Sequence, residues 1–241
     1  MTAEDPASAA TTPLSKLVGK KAVVSFSGGK DSCLALLRAR EAGLDVRAVI
    51  NVLEETGERN RSHGVPRALL AAQAQALSVE LVAPHASWKD YEERFVATLK
   101  ELKARGFEVA VFGDIDLQPH RDWEEKVCAS AGMTPCLPLW QESRVELARE
   151  VLRRKFRAVV VCTDSRYLDD RFCGRLYDEQ FLADLPANVD ACGENGEFHT
   201  FVFDGPGFSQ PVRYVLETTE NYVAPAELGG VRYCFARLRA G

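Results

Sequence analysis

The sequence predicts a doubly wound α/β fold with a mostly parallel sheet and a small mixed C-terminal lobe. Three observations predict it. Short β-branched runs alternate with helix-patterned segments from Lys21 to Cys162, a glycine-rich turn closes the first run, and the alternation stops after Thr163. Strands that alternate with helices imply right-handed crossovers between parallel neighbours. The 241 residues exceed one ordinary domain and fall short of two. We therefore expect a disordered tail over 1–20, its first twelve residues above all, a main α/β domain over 21–163 and a substrate lobe over 164–241.

Lys21 to Phe26 reads as the first strand, because Ala22, Val23 and Val24 form an apolar run that ends at Ser27-Gly28-Gly29. A helix follows, with Cys33, Leu34 and Leu37 on one side and Arg38, Arg40 and Glu41 on the other, stopped by Gly43. Val46 to Leu53 is nearly all apolar, as a strand covered on both faces requires. Helices are expected over 66–77, 88–105, 121–131 and 142–154, and strands over 79–83, 109–112 and 158–162. Beyond Thr163 the chain turns rich in Asp, Gly and Pro, with one short helix near 179–182 and strands over 212–223 and 231–238.

Composition excludes several classes. No apolar run approaches the ~18–20 residues of a membrane span, and Met1 to Lys20 lacks the apolar core of a signal peptide. Seven cysteines without a C-x-x-C pair fit no zinc ribbon or thioredoxin-type site and suggest a reducing, cytoplasmic setting. A net charge of −5 argues against a strong grip on nucleic acid. The basic cluster Arg153, Arg154, Lys155 and Arg157 falls where a helix end welcomes cations.

Ser27-Gly28-Gly29-Lys30-Asp31-Ser32 stands between a strand and a helix, where backbone N–H groups and the helix dipole converge on an anion. The two glycines let the backbone approach phosphate oxygens, Lys30 supplies a charge, and the Ser27 and Ser32 hydroxyls can donate. Asp31 suits a Mg²⁺ ion better than the phosphates themselves. Asp31 after Lys30 and Val24 ahead of the glycines exclude a Walker A loop. The hexapeptide matches the S-G-G-K-D-S signature of the ATP pyrophosphatases, the PP-loop, which chance places in about one chain in 10⁵ of this length. A loop of this kind implies release of pyrophosphate from ATP and transfer of AMP to a carboxylate or carbonyl oxygen.

A second cluster, Cys192 to Phe201 followed by Asp204-Gly205-Pro206, crowds Glu194, Asn195, Glu197, His199 and Thr200 among glycines. A turn that serves structure alone rarely needs so many polar groups, so a binding or catalytic loop is expected. The two signatures together resemble the diphthine–ammonia ligase family of ATP-binding proteins. That family pairs the S-[SG]-G-K-D-S loop with G-E-[NG]-G-E-[FY]-x-T-F-V-x-D-G-P. His63-Gly64-Val65, Gly113-Asp114-Ile115, Pro138-Leu139-Trp140 and Gly174-Arg175 are further landmarks, and the likeness covers about residues 21–208.

The resemblance implies an ATP-dependent ligase that adenylates a carboxylate, free or protein-borne, and forms an amide with ammonia. In the family's best-defined reaction that carboxylate is on a modified histidine of elongation factor 2. The short, Ala-, Arg- and Leu-rich chain looks bacterial, which leaves the acceptor open. Lys30, Asp31, Glu194 and Glu197 are the candidate catalytic residues. Residues 27–32 and Asp114 are expected to hold ATP, Asp31 and Asp114 to hold Mg²⁺, and His63, Asn195, His199 and Thr200 to meet the acceptor. His120, Arg121, Asp164 and Arg166 follow strands at the same sheet edge, where they could line the cleft or merely cap and solvate it. Cys192 reads as a packed thiol. Two other functions are weighed: sulfur transfer to tRNA, which would want a thiol pair and a basic surface, and ATP sensing without turnover. A homodimer is compatible with the sequence.

Overall fold

The computed structural model describes residues 13–225 and 230–241. Strands β1 (Lys21–Ser25), β2 (Asp45–Ile50), β3 (Glu80–Val82), β4 (Val109–Val111) and β5 (Thr134–Cys136) form a five-stranded sheet in the order β3-β2-β1-β4-β5. Every pairing in it is parallel. The alternation along β1 sends its side chains to two cores. Ala22 and Val24 pack with α1 (Lys30–Glu41) and α5 (Arg144–Arg153), whereas Val23 packs with α3 (Tyr91–Ala104) and α4 (Gln118–Ala131). Both faces are covered, as the apolar runs require. The order reverses beside β1, and a doubly wound sheet binds ligands at such a point, outside the carboxyl ends of its strands.

Local sequence sets the helix ends. Ser143 opens α5 by accepting from the Glu146 backbone N–H, Pro119 lies in the first turn of α4, and Gly132 closes that helix at φ +66°. Arg154, from the basic cluster, pairs with Glu41 and Glu150, and Arg157 with Asp204.

The second sheet is antiparallel, in the order β7-β6-β9-β8. It comprises β6 (Arg157–Asp164), β7 (Phe198–Asp204), β8 (Tyr214–Val223) and β9 (Arg232–Ala240). The short α6 (Glu179–Asp184) precedes β7. Ala158 and Val160 join the core around α1, whereas Val159 and Val161 pack with Leu69 and Leu70 of α2 (Arg67–Ala76). The strand expected to complete the parallel sheet, 158–162, belongs here. A central antiparallel strand buried on both faces is as uniformly apolar as a parallel one, so its composition could not separate the two.

Two further strands differ from the expectation. β5 is a three-residue edge strand containing Pro135, and β7 takes residues 198–204 out of what reads as a loop. Of the segment expected as a tail, residues 1–12 lie outside the described residues. Leu14–Lys16 form one 3-10 turn, after which Leu17 is buried in the core. Among the described residues no helix is long and apolar enough to cross a membrane.

Candidate active site

From Ser25 the chain turns through Ser27, Gly28 and Gly29 into α1. Gly28 adopts φ +82°, and a Cβ there would sit 2.6 Å from Gln73 Oε1. A Cβ on Gly29 would lie 3.0 Å from His63 Nε2 and 3.1 Å from the Thr200 carbonyl oxygen, so the cradle admits backbone only. Ser27 Oγ and Ser32 Oγ lie 3.2 Å apart at the positive end of α1, and Ser27 Oγ accepts from the Gly29 N–H. Gly113 allows the exit of β4 to close on α1, because its Cβ would stand 3.0 Å from the Ser32 nitrogen. That approach brings Asp114 to the same place.

The second signature reaches the cradle through β7. Thr200 Oγ1 accepts from the Lys30 N–H at 3.1 Å, giving α1 a cap from a residue 170 positions away. Val202 N–H donates to the Gly28 carbonyl at 2.9 Å, and Gln73 Nε2 donates to both the Gly28 and Val202 carbonyls. Lys30 is only 2% exposed. Its Nζ donates to Asp31 Oδ2 at 2.8 Å and to the Cys192 carbonyl, beside the rings of Tyr177 and Phe198. Burial opposes its charge, yet Asp31 and its other neighbours outweigh that and hold its pKa above the ordinary lysine value. Lys30 therefore ties the two signatures together as well as supplying charge.

A cavity of about 440 Å³ lies between them, and Asp31, Asp114 and Glu194 all line it. Asp31 Oδ1 is buried with no hydrogen-bond partner. Burial raises the Asp31 pKa against the pull of Lys30. Burial also works against the Asp114 charge, but hydrogen bonds from His120 (2.7 Å) and Glu124 prevail and lower its pKa. Glu124 is pushed up to about 11 by burial and by its contact with Asp114, so it stands protonated. Glu194 accepts from the Ile115 N–H at 3.0 Å and is pushed up to about 7, chiefly by burial.

Glu197 is placed differently. Its carboxylate accepts from the Asn195 N–H (2.9 Å), Asn195 Nδ2 (2.9 Å) and the Asp190 N–H (3.3 Å), and it does not line the cavity. Asn195 is also held from α5, its Oδ1 accepting from Arg144 at 3.2 Å. The rings of His63 and His199 lie against each other, centroids 4.4 Å apart and tilted by 33°. Burial, with Lys30 nearby, pushes His199 down to about 4, and burial takes His63 well below its ordinary value, so both are neutral at pH 7.

Beside this cavity a second one of about 420 Å³ shares Ser27, His63, Asp114 and His120 and runs between Tyr91, Phe95, Phe112 and Trp123. Asn51 Oδ1, buried and without a partner, belongs to the same wall. Arg121 pairs with Glu125 at 2.7 Å and lies over Trp140, and Asp164 and Arg166 pair with each other, so none of these three lines either cavity. The Cys192 thiol is buried and pushed up to about 12 by that burial, which leaves it inert.

Residues 20–135 match the family model of the diphthamide synthase N-terminal domain, and residues 143–225 that of its C-terminal domain. The chain belongs to the diphthamide synthase family. The diphthine–ammonia ligase of Rattus norvegicus is 26% identical over 228 residues, covering 84% of this chain and 85% of the rat protein. The Homo sapiens diphthine–ammonia ligase is 25% identical over the same length. That of Schizosaccharomyces pombe is 24% identical over 238 residues, which make up 38% of its own chain. The two family models meet between β5 and α5, so β6 to β8 fall in the C-terminal one.

Two residues that shape this site escape sequence reading. Arg144 binds Asp116 at 2.7 Å and Asp190 at 3.0 Å while holding Asn195, but as the first residue of α5 it reads as a surface charge. Glu124 lies mid-helix among charged neighbours, and only the strand-end Asp114 gives it a role. The i, i+4 spacing of His120 and Glu124 was the one available hint.

Proposed function

We propose that this chain is an ATP-dependent ligase that adenylates a carboxylate and converts it to an amide with ammonia, releasing AMP and pyrophosphate. The observation that carries the proposal is the cavity between the two signatures, where Ser27 and Ser32 at the N-terminus of α1 share a wall with Asp31, Asp114 and Glu194. The residues fit ATP. Ser27, Ser32 and the N-terminus of α1 suit the β- and γ-phosphates, and the aromatic second cavity suits adenosine.

The residues also fit Mg²⁺, although the described residues contain no cluster of three metal-ligating side chains. Mg²⁺ beside phosphates takes one or two protein carboxylates, and Asp31, with its partnerless buried oxygen, and Asp114 supply two. The ion would offset charge developing on the leaving pyrophosphate.

This chain's own groups would do the rest. Glu194, with a pKa of about 7, can take the proton that ammonium must lose to become a nucleophile. Neutral His63 and His199 can hydrogen-bond the acceptor without competing for charge. Thr200 and Lys30 hold the two signatures in register. The relatives' name supplies the acceptor to try first, diphthine, with ammonia as the nitrogen donor.

The test is pyrophosphate release from ATP, Mg²⁺ and ammonium across diphthine-bearing protein and a panel of free carboxylates. Release that requires both an acceptor and ammonium supports the ligase. Release that ignores ammonium for every acceptor would overturn amide formation.

A further inference from the structure

We infer that a third cavity, of about 520 Å³, is the acceptor's site, and that it selects an acceptor carrying a second carboxylate besides the one to be activated. This rests on the ligase reading above. The cavity lies between the 54–64 segment and the β8–β9 ribbon, and it meets the catalytic cavity at His199 and the aromatic one at Asn60 to Ser62 and Trp88.

Its walls are tied to the phosphate loop. Asn60 Nδ2 donates to the Ser27 carbonyl at 2.8 Å while Asn60 Oδ1 accepts from the Val65 N–H at 2.8 Å. Gly64, at φ +65°, lets Phe235 of β9 close on the turn, since a Cβ there would meet its ring at 3.0 Å. A ligand seated here is therefore held at a fixed place relative to the nucleotide cradle.

The chemistry of the walls names the ligand. Arg59 Nη1 and Arg61 Nε are buried without hydrogen-bond partners, and both residues line this cavity. A buried guanidinium nitrogen left unpaired is costly, and a carboxylate is the group whose geometry answers it. Arg237 is already engaged by Glu220 at 2.6 Å, and Arg61 by the Ala86 carbonyl and the Trp88 ring, so the guanidinium left for a ligand is that of Arg59. Trp88 and Tyr222, 64% and 49% exposed, offer flat faces to the body of the ligand.

Arg59 lines neither of the other two cavities. A carboxylate held by Arg59 is thus not the one beside the nucleotide, and the reacting carboxylate must extend past His199. The acceptor is a dicarboxylate, either free or formed by a modified side chain with an acidic neighbour on a peptide.

Calorimetry on the full chain tests this with glutarate, an end-capped peptide containing two glutamates, and butyrate as the single-carboxylate control. ATP is titrated into the same samples. Glutarate or the peptide should bind at millimolar concentration or better, butyrate at least tenfold more weakly. Arg59→Met should weaken the bound probe at least tenfold while leaving ATP affinity within twofold. Glutarate alone points to a free acceptor, the peptide alone to a protein-borne one. Absence of binding by both, butyrate binding as well as glutarate, or an Arg59→Met chain that binds like the parent would overturn the proposal. Failure of ATP itself to bind would instead strike the ligase reading, so the two failures are separable. Tyr222→Ala, at an exposed position, serves as the second variant and should weaken the same probes.

Discussion

The two loops that face each other across the cleft carry opposite chemistry and are built in opposite ways. The phosphate loop, 27–32, presents hydroxyls at a helix N-terminus, and Gly28 and Gly29 let Gln73, His63 and β7 close on it. The 190–197 loop presents carboxylates, and its shape comes from its own side chains: Glu197 gathers donors from Asp190 and Asn195, while Arg144 braces it from α5. One loop is held by other elements, through Gln73, Asn60, Thr200 and Val202. The other is a scaffold that spends one glutamate on its own fold so that another, Glu194, can face the cavity. Identical side chains three residues apart thus take different tasks because only one has its lone pairs filled.

The largest expected effect comes from cutting the link between the loops. Lys30→Met leaves Asp31 and the Cys192 carbonyl without their shared cation, and removing one partner of a buried pair costs about 3 kcal/mol or more. Thermal unfolding should shift down by roughly 6–12 °C, and ATP affinity should fall at least tenfold. A variant that melts like the parent would show that the loops are not coupled through Lys30.

The contrast between the glutamates is sharpened by two matched substitutions. Glu194→Gln should keep the parent's melting temperature within about 2 °C and lose roughly 10²-fold or more in turnover. Glu197→Gln should do the reverse, because the Gln amide would present a donor where the loop presents donors, at about 1–3 kcal/mol. Glu194 must be ionised to accept a proton, so parental turnover should rise with pH through about 7, and Glu194→Gln should lack that rise. Equal loss of turnover at unchanged stability in both variants would mean that Glu197 also does chemistry.

Much of this was legible. The glycine turn before α1, the helices and the class of fold follow from local pattern, since a glycine turn and an apolar period are written in consecutive residues. Pairing was not. β6 carries the apolar run of a buried strand whichever sheet it joins, and β5 is three residues long with a proline. The sequence shows Glu194 and Glu197 as equals, and the difference between them arises from Ile115, Asp190 and Asn195 arriving through tertiary structure. Arg144 and Glu124 acquire their roles the same way.

Smaller effects probe the seam. Thr200→Val removes the acceptor for the Lys30 N–H and should cost about 1 kcal/mol, roughly 2–4 °C in melting temperature. Normal stability in that variant would mean that α1 needs no cap from β7. The smallest effect concerns the paired histidines. The folded chain keeps His199 neutral down to about pH 4, whereas the unfolded chain takes up its proton near 6.5. Its contribution to stability is complete above 6.5 and declines as the pH falls toward 4. His199→Gln should make the melting temperature less sensitive to pH in that window, and an unchanged slope would show that His199 does not stay neutral.

Cleavage of ATP between its α- and β-phosphates to activate a carboxylate is tested most directly by nucleotide analysis after turnover with an accepted acceptor whose carboxylate carries ¹⁸O. AMP and pyrophosphate should form in equal amounts, with one ¹⁸O passed from the acceptor to AMP. ADP and orthophosphate as the products, or AMP without label, would contradict it.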